Sequence, residues 1–235
     1  MHDSDRSAYD RIFYPFLFAG EKVGSKDVLA QVRHSTLEKC REVMALRRVT
    51  LEASQEQIVR AGQAMAQAFA QGATLLAFGN GGSATDAQDL VADLLAPPFA
   101  NCAALPAVAL TNDIAVVTAV GNDVGFENVY ARQIIALGRE GDIAFGISTS
   151  GNSTNVLLAF EQARKQGLLT VGLTGYDGGK MMRSEAVDFC LNVPSDHIPR
   201  IQEAQATIYH ALLEVIYVLL NNPAGQETLR KEKVR

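Results

Sequence analysis

The sequence predicts an α/β fold in which a parallel sheet is covered on both faces by helices. Two features carry this prediction. Five short apolar runs, at residues 74–78, 107–110, 143–147, 169–173 and 189–193, are continuous rather than alternating, as strands buried on both faces must be. Between them, apolar residues recur at three- and four-residue steps, the period of helices that return the chain from one parallel strand to the next. A chain of 235 residues, 48% of them hydrophobic, has enough apolar surface to bury such a core in one domain.

Each element follows from its spacing. Ahead of the first strand, Val28, Leu29, Val32, Leu37, Cys40, Val43 and Met44, then Leu51, Ile58, Met65 and Phe69, describe two amphipathic helices broken near residues 47–50. Helices are expected at 83–95, 113–120, 128–137 and 153–166, and a long closing helix at 201–220. The stretch 97–106 is the least regular internal segment, and NNPAGQETLRKEKVR reads as a polar tail. No internal repeat or linker interrupts this pattern, so one domain is expected over 35–221. An arm with the start of the first helix precedes it at 1–34, and the tail follows at 222–235. The aromatic patch in RIFYPFLFAG is too short to span a membrane and reads as a docking arm.

Composition removes several classes of function. Lys and Arg total 21 against 26 Asp and Glu, mixed along the chain, so no basic stripe is available for direct binding of nucleic acid. Cys40, Cys102 and Cys190 are odd in number and far apart, which argues against a disulfide framework or a cysteine zinc site and fits the cytoplasm. No membrane segment and no leader are expected.

Two loops carry the candidate chemistry, both at the carboxyl ends of predicted strands, where open parallel sheets bind ligands. FGNGGS follows the first strand. Its glycines let backbone N–H groups turn toward a ligand, and Ser83 can cap the next helix or donate to an anion; an ordinary tight turn with a serine cap would look the same. GISTSGNSTN follows the third strand and gathers Ser148, Thr149, Ser150 and Ser153 around Gly151. Four hydroxyls beside a helix N-terminus make a cradle for a dianionic phosphate, more than a plain turn requires. Neither loop spells a P-loop or GxGxxG, so a sugar phosphate is preferred to a nucleotide and no nucleotide cofactor is expected.

These stretches, with AVGNDVGFENVYARQ, LGREGDIAFGISTSGNSTNV, LTGYDGGKM and RIQEAQATIYH, resemble the sugar isomerase (SIS) domain family, and within it the phosphoheptose isomerases. The likeness covers about residues 35–220. It implies a three-layer sandwich with a five-stranded parallel sheet, a homotetramer with active sites between subunits, and aldose-ketose isomerisation of sedoheptulose 7-phosphate through an enediol. It further implies that Ser83, Ser148, Thr149, Ser150 and Ser153 hold the phosphate, that Asn80 and Asp123 approach the sugar, and that Gly81, Gly82 and Gln202 also belong to the substrate site. The family's histidine and glutamate on the opening helix are here Asp89 and Asp93, whereas its glutamine and histidine on the closing helix are intact as Gln202 and His210. An arginine expected four residues beyond the base falls on Pro97.

Asp93 and His210 are the candidate base and acid, since enediol chemistry needs one group over a carbon and another near the carbonyl oxygen. An aspartate base is displaced by about 1 Å relative to glutamate, a misplacement that can cost about a hundredfold in rate. Asp89, Asp93, Gln202 and His210 form the candidate zinc set. Two other readings stand beside the enzyme. One is a non-catalytic SIS scaffold of the type that associates with a replication initiator; the other is a sugar-phosphate sensor, for which the first 70 residues offer no DNA-binding element. The bland alternative for Asp86, Asp89 and Asp93 is a solvated acidic face, and for His210 a hydrogen-bonded core or interface residue.

Overall fold

The computed structural model describes residues 25–222 and Gly225. The aromatic patch at 13–18 and nearly all of the expected polar tail lie outside the described residues. Contacts divide the chain into two compact units, Met1–Ala45 and Leu46–Arg235. The described part of the first unit is helical.

Helix α1, Ser25–Ala70, is a single element where the sequence predicts two. The segment Arg47-Arg48-Val49-Thr50 has neither proline nor glycine, and Arg48 Nε donates to Glu52 Oε1 at 2.8 Å one turn on, so nothing there breaks a helix. Leu37, Met44, Leu51, Ile58 and Met65 keep seven-residue steps through this point, and the polar pair Arg47-Arg48 only mimics a boundary.

The second unit continues with β1 (Leu75–Gly79), α2 (Gly82–Leu95), β2 (Ala107–Ala109), α3 (Ile114–Asp123), a 3₁₀ turn (Phe126–Asn128) and α4 (Val129–Leu137). Then come β3 (Ile143–Ser148), α5 (Thr154–Lys165), β4 (Leu169–Gly175), α6 (Gly179–Met182), β5 (Phe189–Val193) and α7 (Ile198–Asn221). All five predicted strands are present and parallel, in the order 2-1-3-4-5. Boundaries move by a few residues: Asp113 caps α3 by accepting from Val116 N at 3.1 Å, and α7 starts earlier because Pro199 is favourable in a first turn. The one-turn helix α6 was not expected, because DGGK reads as a loop.

Side chains alternate across the sheet with period two, and each face has its own core. Leu75, Ala77, Ile143, Phe145 and Ile147 face a cluster that includes Met65, Phe69, Leu90, Leu94, Ile208 and Leu212 from α1, α2 and α7. Leu76, Phe78 and Ala144 face a second cluster with Tyr130, Ile134, Val156 and Phe160 from α4 and α5. The result is a three-layer sandwich, as expected. No helix of the described residues is long and apolar enough to cross a membrane.

Candidate active site

In a sheet ordered 2-1-3-4-5 the connections leave β1 and β3 toward opposite sides, and the crevice between those strands is where α/β folds of this topology bind ligands. Gly79 at the end of β1 pairs with Ile147 of β3, so FGNGGS and STSGNS lie side by side at that crevice. Neither loop contains a lysine or arginine. An anion there would be held by hydroxyls and by the N–H groups of the α2 and α5 N-termini.

The first loop turns at Gly81, whose φ of 58° and ψ of −122° are accessible to glycine and strained for any other residue. Ser83 does not cap α2, contrary to one expectation. Gly81 holds the cap position without a side-chain bond, and Ser83 lies inside the first turn, buried. Gly82 is required by a neighbour: a Cβ there would sit 2.2 Å from Gln202 Nε2. Gln202 of α7 is thereby located against the loop.

The second loop is tightly braced. Ser148 Oγ and Ser153 Oγ are 2.9 Å apart, and Ser150 Oγ accepts from Asn152 N at 3.2 Å. Asn152 Nδ2 donates to Ser150 O at 2.8 Å, while Asn152 Oδ1 accepts from Lys180 N at 3.1 Å, tying the loop to α6. Gly151 has φ +61°, and a Cβ on it would lie 2.1 Å from Gly178 O. Ser153 is the N-cap residue of α5, but its hydroxyl is spent on Ser148 rather than on the helix. Asn80 and Asn155 join the two loops through a pair of hydrogen bonds between their side-chain amides, 2.9 and 2.8 Å long. Asp123 ends α3, exposed, and accepts locally from Asn122 Nδ2 at 2.7 Å. No hydrogen bond among the described residues carries it to either loop.

A second cluster lies farther along α2, where α7 packs against it. His210 Nε2 is 3.4 Å from Asp93 Oδ2 and 3.9 Å from Asp89 Oδ2. One ligand atom from each of the three falls within 4.8 Å of the others. His210 is 51% exposed, so it is not the core histidine that an apolar helix suggests. Asp89 and Asp93 share a face, as their four-residue spacing requires. Eight residues separate Gln202 from His210 on α7, a rise of about 12 Å, so Gln202 stands at the loop end of this face and His210 at the far end.

One contributor was not singled out in the sequence, and one was read differently. Tyr209 donates its phenol to Asp89 Oδ2 at 2.7 Å and packs its ring edge-on to His210 at 4.6 Å. Burial, and then the bond to Asp89, raise its pKa above the ordinary phenol range. The signal was present, since a buried tyrosine beside a histidine needs a partner for its hydroxyl. Asp86 is not part of a freely solvated face: its Oδ2 is buried without a hydrogen-bond partner. Burial, with Asp89 adding, pushes its pKa from 3.8 up to about 6.

Two cavities open elsewhere. One of about 620 Å³ lies among Val91, Val108, Val116, Val120 and Ala136 beside β2, and another of about 590 Å³ lies among Phe99, Cys102 and Tyr217. Neither includes a residue of the two loops or of the carboxylate–imidazole cluster.

The SIS domain family matches residues 40–175. A phosphoheptose isomerase of Roseiflexus sp. (strain RS-1) is 44% identical over 171 residues, which is 73% of this chain and 86% of that protein. Another, from Geotalea daltonii, is 49% identical over 152 residues, 65% of this chain and 78% of the relative. Among solved structures, the phosphoheptose isomerase of Neisseria gonorrhoeae superposes with a TM-score of 0.73 at 37% identity, covering 79% of this chain and 98% of that one. With these likenesses running through both loops and the sheet that carries them, the chain belongs to the SIS domain family, in its phosphoheptose isomerase branch.

Proposed function

We propose that this sugar-phosphate isomerase acts on sedoheptulose 7-phosphate and interconverts it with a manno-heptose 7-phosphate. The observation that carries this reading is the pairing of a lysine-free hydroxyl loop at the β1/β3 crevice with a carboxylate and imidazole 3.4 Å apart on the helices beside it. Ser83, Ser148, Thr149, Ser150 and Ser153 would hold the phosphate, together with the N–H groups of Gly81 and Gly82. Asn80, Asp123 and Gln202 would contact the sugar chain. The scaffold reading is not favoured, because relatives as similar as 49% are phosphoheptose isomerases.

Isomerisation removes a proton from the carbon beside the ketose carbonyl and returns one to the former carbonyl carbon, through an enediol. Asp93 would take the carbon-bound proton, and His210 would deliver a proton to the carbonyl oxygen and recover one from the neighbouring hydroxyl. Asp89, Asp93 and His210 offer two oxygens and one nitrogen within 4.8 Å of one another, a donor set whose chemistry fits a divalent cation such as zinc. A bound cation would polarise the carbonyl oxygen. The resemblance further supports a homotetramer and a cytoplasmic location.

The test is to incubate purified protein with sedoheptulose 7-phosphate, with and without added zinc, and to follow the aldose. Turnover is expected in the wild type and lost in Asp93→Ala and His210→Ala, with solvent deuterium entering the carbon next to the carbonyl. A well-folded wild type that forms no aldose under either condition refutes the reading.

A further inference from the structure

The amide pair between the two loops has a defined polarity. Val156 N donates to Asn155 Oδ1 at 3.0 Å as well as to Ser153 O at 3.1 Å, and because a backbone N–H can only donate, it favours the orientation of the Asn155 amide that turns Oδ1 toward it. Asn155 Nδ2 then faces Asn80 and donates to its Oδ1 at 2.8 Å, while Asn80 Nδ2 donates back to Asn155 Oδ1 at 2.9 Å. The phenol of Tyr130 adds a second donor on the same side. Its hydrogen goes to the carbonyl of Gly79 and, more weakly at 3.4 Å, to Asn80 Oδ1.

Asn80 Oδ1 is therefore engaged by donors from two directions, whereas only one of the two Nδ2 hydrogens is used. The second has no protein acceptor among the described residues. What Asn80 can offer a ligand at the crevice is an N–H and not a carbonyl. Asn155 and Tyr130 are buried, and Asn155 Oδ1, Asn155 Nδ2 and the Tyr130 hydroxyl are already bonded to protein groups, so their effect on a ligand runs through Asn80.

We propose that Asn155 and Tyr130 are positioning residues that lock the Asn80 amide as a hydrogen-bond donor toward the sugar chain of a bound sugar phosphate. The inference rests on the sugar-phosphate isomerase reading and adds to it the polarity of one contact. An oxygen of the open-chain sugar, carbonyl or hydroxyl, is the acceptor this N–H fits. The phosphate would be held by the serine hydroxyls and helix N–H groups and not by the Asn80 amide itself. Loss of the lock leaves Asn80 free to rotate its oxygen outward, where it would repel the sugar oxygen.

The experiment compares affinities for sedoheptulose 7-phosphate and for inorganic phosphate by calorimetry, in the wild type, Asn155→Leu and Tyr130→Phe. Thermal melting is recorded alongside. Asn155→Leu is expected to weaken sugar-phosphate binding at least tenfold and Tyr130→Phe at least threefold, with inorganic phosphate affinity changed less than threefold in each. A purely structural role would move both ligands and the melting temperature together. Equal losses for the two ligands, or sugar-phosphate losses below these limits, overturn the proposal. If Asn155→Leu does not fold, Tyr130→Phe decides alone. Because the readout is binding, it is independent of turnover: a wild type that binds but does not isomerise counts against the catalytic reading and leaves the comparison intact.

Discussion

Replacing Gly81 and Gly151 separately by alanine distinguishes a conformational requirement from a steric one. Both glycines have positive φ, 58° and 61°. At Gly81 nothing lies within 4 Å of the position a Cβ would take, so the cost is the backbone conformation alone, about 1–3 kcal/mol. At Gly151 the same Cβ would be 2.1 Å from Gly178 O and 2.6 Å from Thr174 Oγ1. Gly178 cannot retreat freely, since its own φ is 86° and Met182 fills the space above it. Forced overlap of this kind adds about 1–3 kcal/mol, giving Gly151→Ala a total of about 2–6 kcal/mol. For a chain of this size each kcal/mol lowers the melting temperature by about 2–4 °C, so the two variants should melt about 2–12 °C apart, Gly151→Ala being the lower. Urea midpoints would give the same order. Gly151→Ala should also weaken inorganic phosphate binding by at least tenfold, because Met181 N bonds to Gly151 O at 2.9 Å and the loop cannot shift alone. Equal melting temperatures, or unchanged phosphate affinity in Gly151→Ala, would refute the steric account of this loop.

Asp86 has a folded pKa of about 6 against 3.8 in the unfolded chain, so the folded state binds its proton more tightly and stability falls as pH rises from about 4 to above 6. The full shift corresponds to at most about 3 kcal/mol, and partial solvent access reduces it to about 1–2 kcal/mol; Asp86→Asn should gain that amount at pH 7.5 and flatten the slope, which urea midpoints at pH 4.5 and 7.5 would measure. Tyr209→Phe removes the donor that orients Asp89 while keeping the buried ring, and should weaken zinc binding about 10- to 100-fold in a calorimetric titration. Asp93→Asn keeps the shape of the proposed base without its basicity; kcat with sedoheptulose 7-phosphate should drop about 10²- to 10⁴-fold with KM within threefold, as steady-state kinetics would record.

Much of this molecule was legible before its structure, for physical reasons. A strand buried on both faces must be apolar throughout, and LLAFG, IAFGIS and LTVGLTG announce themselves in that way. The hydroxyl loop was legible because a turn does not need that many serines. Less could be read where a residue's role depends on a distant partner. Nothing in GNSTN distinguishes Asn155 from its neighbours until Asn80, 75 residues away, is seen bonded to it. Tyr209 has the spacing of a core residue, and its bond to Asp89 crosses between helices. Periodicity reports which face is apolar and says little about burial at the margin, so Asp86 was counted with the exposed carboxylates. The polar pair Arg47-Arg48 misled for a related reason: a helix continues through any stretch that its backbone tolerates.

The serines proposed to hold the anion lie in the loop after β3 and, for Ser83, in the first turn of α2, the same helix that carries Asp89 and Asp93. In the proposed function recognition and proton transfer are therefore coupled through rigid helices: α2 joins Ser83 to Asp93, and α7 joins Gln202 to His210. A shift of either helix along its axis would move a substrate contact and a proton-handling group together, so the distance from phosphate to reacting carbon, and with it the length of sugar admitted, is set by the packing of α2 on α7.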